Sequence, residues 1–236
     1  MNNLLEITDI HHQVHNQFSI DIDQLFFQDG PVYALIGDSG AGKSTLLRIL
    51  ALLQPVREGT ITVFGEKAQA QKHPVKLRRR LGYLSQDPYL FAGSVFENIA
   101  LGLELRSQKA DEIEARVNNL LHEFEFSAFA QTRIQEISKG QQKLVAFLRT
   151  LAPYPEILLL DEPAAHLDGL QYNRFLDYAK MLNNERGVTI ILTTKSKDLI
   201  QRLVNISISI RYGKIVRIRT GEHQVQSGNG SGLRAS

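Results

Sequence analysis

Cysteine is absent from the 236-residue chain. Its absence excludes a disulfide scaffold, a thiolate metal site and a cysteine nucleophile, and it fits a reducing compartment. An excess of one charge is lacking too: 27 Lys and Arg face 25 Asp and Glu, for a formal charge of +2. So small an excess argues against a dedicated nucleic-acid binder, and no nucleic-acid partner is expected. No apolar run approaches the roughly 20 residues that a membrane-spanning helix needs. Residues 1–6 lack the basic and apolar regions of a signal peptide. A cytoplasmic protein is expected, or one held at a membrane through partners. What is present is ordinary for a globular chain: 43% hydrophobic and 22% charged residues. The length is about 1.6 times a typical domain of roughly 150 residues, which predicts one large domain or a core with an insert.

Residues 4–10 and 18–22 alternate apolar and polar side chains and are expected as antiparallel strands. Residues 32–36 form a continuous apolar run, suited to a strand buried on both faces. A glycine-rich loop follows, then a helix over 44–53. Residues 60–64, bracketed by Gly59 and Gly65, read as a short strand, as do 81–84. From Pro88 to Pro155 the pattern turns helical, with Ile113, Val117, Leu120, Leu121 and Phe124 at helical spacing. Residues 157–160 and 188–192 are again buried-strand runs, with a helix over 172–182 between them. That alternation predicts a mainly parallel sheet with crossover helices. Residues 206–218 read as a closing hairpin turning at Gly213. The expected organisation is a core from 1–86 and 156–222, a helical subdomain over 87–155, and a flexible tail over 223–236.

Gly37-Asp38-Ser39-Gly40-Ala41-Gly42-Lys43-Ser44 fits the phosphate-loop pattern G-x-x-x-x-G-K-[ST], between a buried strand and a helix. Glycines let the backbone curl so that N–H groups converge on phosphate oxygens, and the helix N-terminus adds partial positive charge. Lys43 is expected to reach the β- and γ-phosphates, Ser44 to ligate Mg²⁺ and Thr45 to support the α-phosphate. The strand at 157–160 ends in Asp161-Glu162. It delivers both acids to its C-terminal edge, where ligands bind in open α/β sheets. Asp161 is the expected Mg²⁺ ligand and Glu162 the general base. Together the two motifs describe a P-loop NTPase that uses Mg²⁺.

Ile137-Ser138-Lys139-Gly140-Gln141-Gln142 resembles the Leu-Ser-Gly-Gly-Gln signature of ATP-binding-cassette (ABC) ATPases. Gln86 stands where that family has its Q-loop, and Ala165-His166-Leu167-Asp168 resembles its D-loop. The resemblance covers about residues 4–219. It implies an α/β fold: a P-loop NTPase core with a parallel sheet, an N-terminal antiparallel β region and an inserted α-helical subdomain. It also implies that ATP bound on one phosphate loop is covered by the signature helix of a second cassette, identical or not. Binding then joins the two and hydrolysis releases them. By resemblance, Ser138, Lys139, Gly140, Gln141 and Asp168 belong to the nucleotide site, and Gln86 senses Mg²⁺ or the attacking water. Ser138-x-x-Gln141 independently fits a capping box.

Three positions depart from the family pattern. Lys139 replaces the first signature glycine; its side chain either crowds the closed dimer or binds the γ-phosphate, and the sequence leaves both open. Lys195 replaces the switch histidine, supplying charge suited to phosphoryl transfer but no acceptor nitrogen. In place of the aromatic that stacks on adenine stand Val14 and His15. His11, His12 and His15 lack the supporting Asp or Cys of a metal site, and none is expected.

Tyr89, Leu90 and Phe91 follow the Q-loop and form an apolar cluster. Either they line the groove for a membrane subunit or they pack within the insert. Leu90-Phe91-x-x-Ser94-Val95 leans toward cassettes of small-oxyanion importers. Arg78-Arg79-Arg80 reads as a solvated strand edge, with a lipid or partner contact as the alternative. The leading expectation is the ATP-hydrolysing subunit of an importer, peripheral on the inner membrane face through membrane-spanning subunits. Two alternatives are a soluble cassette acting on nucleic acid or ribosomes, and a degenerate regulatory cassette that hardly hydrolyses ATP. Retention of Lys43, Gln86, Asp161 and Glu162 argues against the last.

Overall fold

A computed structural model describes residues 3–15, 18–68 and 74–221, with the His15 side chain excepted. The expected tail over 223–236 lies outside the described residues.

The larger sheet has six strands. At its centre is β3 (Val32–Ile36), the strand that leads into the phosphate loop. Chain order elsewhere gives β1 (Asn3–His15), β2 (Phe18–Gln28), β4 (Glu58–Val63), β5 (Glu66–Lys67) and β6 (Leu81–Leu84). Beyond these come β7 (Ile157–Asp161), β8 (Thr189–Thr193), β9 (Ile206–Arg211) and β10 (Lys214–Thr220). The six-stranded sheet runs β10-β9-β3-β8-β7-β6. Its pairs are parallel except β9 with β10, which close as the expected hairpin. A second, antiparallel sheet runs β2-β1-β4-β5.

The apolar runs explain the layering. Side chains alternate across a strand, so a strand without polar positions must be covered on both faces. Val32 and Ala34 of β3 enter one hydrophobic cluster, while Tyr33 and Leu35 enter another. β7 divides the same way, Leu158 and Leu160 against Ile157 and Leu159. The first cluster is roofed by α3 (Val95–Glu104), α4 (Ala110–Glu123), α5 (Lys139–Leu151) and α6 (Gly169–Arg186). The second holds α1 (Lys43–Leu50) against the inner face of the antiparallel sheet. Two short helices, α2 (Val75–Arg78) and α7 (Lys197–Leu203), complete the set.

Several boundaries differ from the sequence reading, each for a local reason. β1 runs past residue 10 because its pairing continues through Gln13 opposite Ser19, at an exposed end where alternation carries no signal. β2 runs past residue 22 because Gln24 to Gln28 pair with Thr8 back to Asn3, after the alternation changes phase at the exposed Asp23 and Gln24. α6 starts before residue 172, because Asp168 caps it in a capping box with Gln171. It ends beyond 182 at Gly187, whose φ of 65° is easy for glycine. α7 was not anticipated; the Ser196 hydroxyl caps it by accepting from the Leu199 N–H. β5 and α2 were not anticipated either. The stretch after Pro88 is irregular up to Ser94, where a capping box with Glu97 opens α3. Arg80 is not a freely solvated side chain. It donates two bonds to Glu156, at 2.5 and 2.6 Å, and lies 3.3 Å from the Phe64 ring centroid. Among the described residues, no helix is long and apolar enough to cross a membrane.

Candidate functional site

The C-terminal ends of β3, β6, β7 and β8 border one cleft of about 650 Å³. Ser39, Gly40, Gly42, Lys43, Ser44, Thr45, Gln86, Asp161, Glu162 and Lys195 line it, together with Val14. Parallel strands from distant parts of the chain thus bring both sequence motifs, the Q-loop glutamine and the switch-position lysine to one place.

The phosphate loop is held by its own lysine. Lys43 Nζ donates to the carbonyls of Gly37 and Asp38, each at 2.8 Å, so residues 37–43 wrap around the ammonium. Burial holds this ammonium below the usual lysine range, and Lys195 adds to the effect, while Glu162, Asp161 and Asp38 oppose it. Gly42 must be glycine. Its φ is 103°, and a Cβ there would lie 2.4 Å from Ile20 Cδ1 and 3.1 Å from Phe18 Cζ.

The acid pair is fixed by Thr193 at the end of β8. Its hydroxyl donates to Asp161 Oδ1 at 2.6 Å and accepts from the Glu162 N–H at 2.9 Å. Glu162 has a φ of 46°, in the left-handed region that non-glycine residues rarely occupy. Such conformations cost on the order of 1–3 kcal/mol and concentrate where a side chain must be aimed.

The remaining family positions stand elsewhere. Ser138, Lys139, Gly140, Gln141 and Asp168 do not line the cleft. Ser138 caps α5, accepting from the Gln141 N–H at 3.2 Å while Gln141 Oε1 accepts from the Ser138 N–H at 2.8 Å. Lys139 is exposed on the first turn of that helix. Gly140 packs tightly: a Cβ there would lie 2.5 Å from the His166 carbonyl oxygen. The signature and the 165–168 turn are therefore in contact with each other. Asp168 caps α6, accepting from the Gln171 N–H at 2.8 Å.

Three residues went unrecognised in the sequence. Thr193 is one. Phe18, across the β1–β2 hairpin from His15, lines the cleft beside Val14. The aromatic absent at position 14 is thus present on the neighbouring strand. Its signal was the apolar alternation Phe18, Ile20, Ile22, which puts Phe18 on the face that meets Gly42. Lys143 on α5 is the third. It is 3% exposed, and it donates to the carbonyls of Ser85 at 2.9 Å, Gln86 at 2.6 Å and Asp161 at 3.4 Å. Burial pushes its ammonium down to about 8, against the pull of Asp161, Asp87 and Glu162.

Beside the Q-loop, Tyr89 and Phe91 are 73% and 48% exposed and meet edge to face at 5.2 Å. Leu90 is the member of the trio that packs onto the core. Arg149 Nη2 donates to the Tyr89 carbonyl at 2.7 Å, while its Nη1 is buried with no partner among the described residues. His11 is paired with Asp21, and His12 with Gln54 at 2.7 Å.

Comparison with known proteins bears on what such a cleft serves. The family model described as ABC transporter matches residues 21–165. The chain is 36% identical over 219 residues to "ABC transporter I family member 17" of Arabidopsis thaliana, covering 92% of this chain and 80% of that protein. It is 34% identical over 217 residues to "Methionine import ATP-binding protein MetN" of Escherichia coli O157:H7, covering 90% of this chain. It spans 63% of the length of that relative. Among solved structures it superposes on a dimeric post-hydrolysis state of the ATP-binding cassette MJ0796 bound to ADP and Pi, with TM-score 0.83 and 25% identity. That match covers 92% of this chain and 98% of the other. It also superposes on cbiO1 from Clostridium perfringens, part of the ABC transporter complex cbiONQ, with TM-score 0.80 and 25% identity. There the cover is 93% of this chain and 89% of the other.

Proposed function

This chain belongs to the ABC transporter family, and from that membership we propose that it powers import of a solute through separate membrane-spanning subunits. It is the ATP-binding and ATP-hydrolysing subunit. The observation that carries the proposal is the convergence of Lys43, Gln86, Asp161 and Glu162 on one cleft. The import direction is supported by the relatives named as methionine import proteins. A place on the cytoplasmic face of the membrane follows from the same reading.

In this reading residues 1–86 and 156–222 act as the ATPase core and 87–155 as the arm that carries the signature. The Gly37–Gly42 backbone and Lys43 hold the phosphates, with Thr45 beneath them. Ser44, Asp161 and Gln86 offer hydroxyl, carboxylate and carboxamide oxygens, a hard donor set that fits Mg²⁺. When bound, the ion neutralises phosphate charge and polarises the bond to be broken. Glu162 accepts a proton from the water that attacks the γ-phosphorus; the bond from that phosphorus to the bridging oxygen breaks, and ADP and phosphate leave. Thr193 keeps Asp161 and Glu162 in their relative positions. Lys195 adds positive charge where the phosphoryl group is transferred. Ser138, Lys139, Gly140, Gln141 and Asp168, which do not line this chain's own cleft, face the nucleotide of a second cassette.

Phe18 and Val14 together form the adenine platform in this reading. Base–aromatic stacking is worth about 1–3 kcal/mol, so Phe18→Ala is expected to weaken ATP binding by about tenfold, with Val14→Ala nearly neutral. Titration with a fluorescent ATP analogue checks this, and equal effects of the two changes would remove Phe18 from the platform.

Tyr89 and Phe91, with the unpartnered Arg149 Nη1 beneath them, form the proposed docking face for a membrane subunit. Replacing both aromatics by Glu is expected to abolish co-purification with the membrane-spanning subunits and to leave hydrolysis by the isolated chain intact. Undiminished co-purification would place the docking face elsewhere.

A further inference from the structure

Two side chains of α5 hold three backbone carbonyls between the end of β6 and the docking aromatics. Lys143 Nζ holds the carbonyls of Ser85 and Gln86. Nearly two turns further along, Arg149 Nη2 donates to the Tyr89 carbonyl, while the single proton of the Thr150 hydroxyl goes to the Ala146 carbonyl of its own helix at 2.9 Å. The same Lys143 ammonium also reaches the Asp161 carbonyl on the neighbouring strand. The backbone bearing Gln86 and the backbone bearing Asp161 are therefore tied to one atom of the signature helix.

We propose that Lys143 is a positioning residue for hydrolysis, tethering the Gln86 and Asp161 backbones to α5 so that the placement of the signature helix sets the placement of both. The inference rests on the ABC reading of the cleft and adds to it a residue that makes no contact with the nucleotide.

Three features support a tether over mere packing. An ammonium presents three N–H donors, and three carbonyl acceptors lie around it. No carboxylate is paired with Lys143 among the described ion pairs, so its site is shaped by backbone dipoles from two strand ends. Lys143 is buried, so its ammonium sits away from water, where each of these bonds counts for more. An apolar side chain would have filled the same volume. Lys143 also lies between the signature at the start of α5 and Arg149 under the docking face. One rigid helix therefore contacts the signature, the Q-loop and the Tyr89 carbonyl in succession.

The test uses the full chain and Lys143→Met, which keeps the stem and removes the donors. Amide hydrogen exchange over 85–91 is measured without nucleotide, and kcat and KM for ATP are measured separately. The tether predicts about tenfold faster exchange confined to that stretch. It predicts a kcat about tenfold lower with KM within about threefold, as misplacement rather than lost binding requires. Unaltered exchange, unaltered kcat or a change carried by KM alone would overturn the proposal. Should the Met variant fail to fold, Lys143→Gln, with two donors on a shorter stem, is judged by the same exchange and kinetic criteria. The exchange measurement does not depend on turnover. A wild-type chain unable to hydrolyse ATP would defeat the functional reading, while the exchange difference would still decide the tether.

Discussion

Glu162→Gln is expected to lower ATP turnover by about 10²–10⁴-fold while leaving ATP binding intact, the range that removal of a positioned general base produces. The carboxamide is nearly the shape of the carboxylate, and the backbone at residue 162 is anchored independently by Thr193. The loss is therefore chemical and not structural. Gln cannot take the proton of the attacking water, so the γ-phosphate stays in place. A nucleotide that joins two cassettes then holds them together, and sedimentation with saturating ATP is expected to show a dimer. A variant with wild-type turnover would assign the proton transfer to another group. A variant that stays monomeric at saturating ATP would contradict the shared-site geometry.

Lys43→Ala is expected to abolish measurable ATP binding. Hydrogen bonds to charged groups contribute about 1.5–3 kcal/mol each, so losing contacts to two phosphates costs about 3–6 kcal/mol, or roughly 10²–10⁴-fold in affinity. The structure adds a second penalty. Lys43 Nζ also gathers the Gly37 and Asp38 carbonyls, so its removal releases the loop whose amides should face the phosphates. Equilibrium dialysis with radiolabelled ATP measures the effect, and retained tight binding would sink the phosphate-loop assignment. Because both the phosphate contacts and the loop geometry depend on Lys43, no other single change is expected to weaken binding as much.

The phosphate loop and the Asp161-Glu162 strand end were legible in the sequence because their chemistry is written in consecutive residues. The buried strands were legible for the same reason: a run such as Leu158-Leu159-Leu160 has no polar face to expose. The capping box at Ser138 could be read from spacing alone. Thr193 could not, since its hydrogen bonds reach 31 and 32 residues back along the chain. Lys143 was not singled out in the sequence. Its neighbours three and four positions on, Ala146 and Phe147, are buried, and a lysine on that stripe has no exit to solvent. Phe18 was overlooked because the aromatic was sought on β1, whereas the hairpin brings it from β2. The helix over 197–203 depends on a serine cap and is only seven residues long, too short for periodicity to reveal.

The central claim is that two cassettes share each hydrolytic site, with Lys139 and Lys195 accommodated in a working motor. The most direct test is the Mg²⁺-dependent ATPase rate of the purified chain as a function of its own concentration, with Glu162→Gln as the blank. The account predicts a rate that rises more than linearly as dimers form. A rate equal to the blank, or one strictly proportional to concentration from a chain that sediments as a monomer throughout, would contradict it.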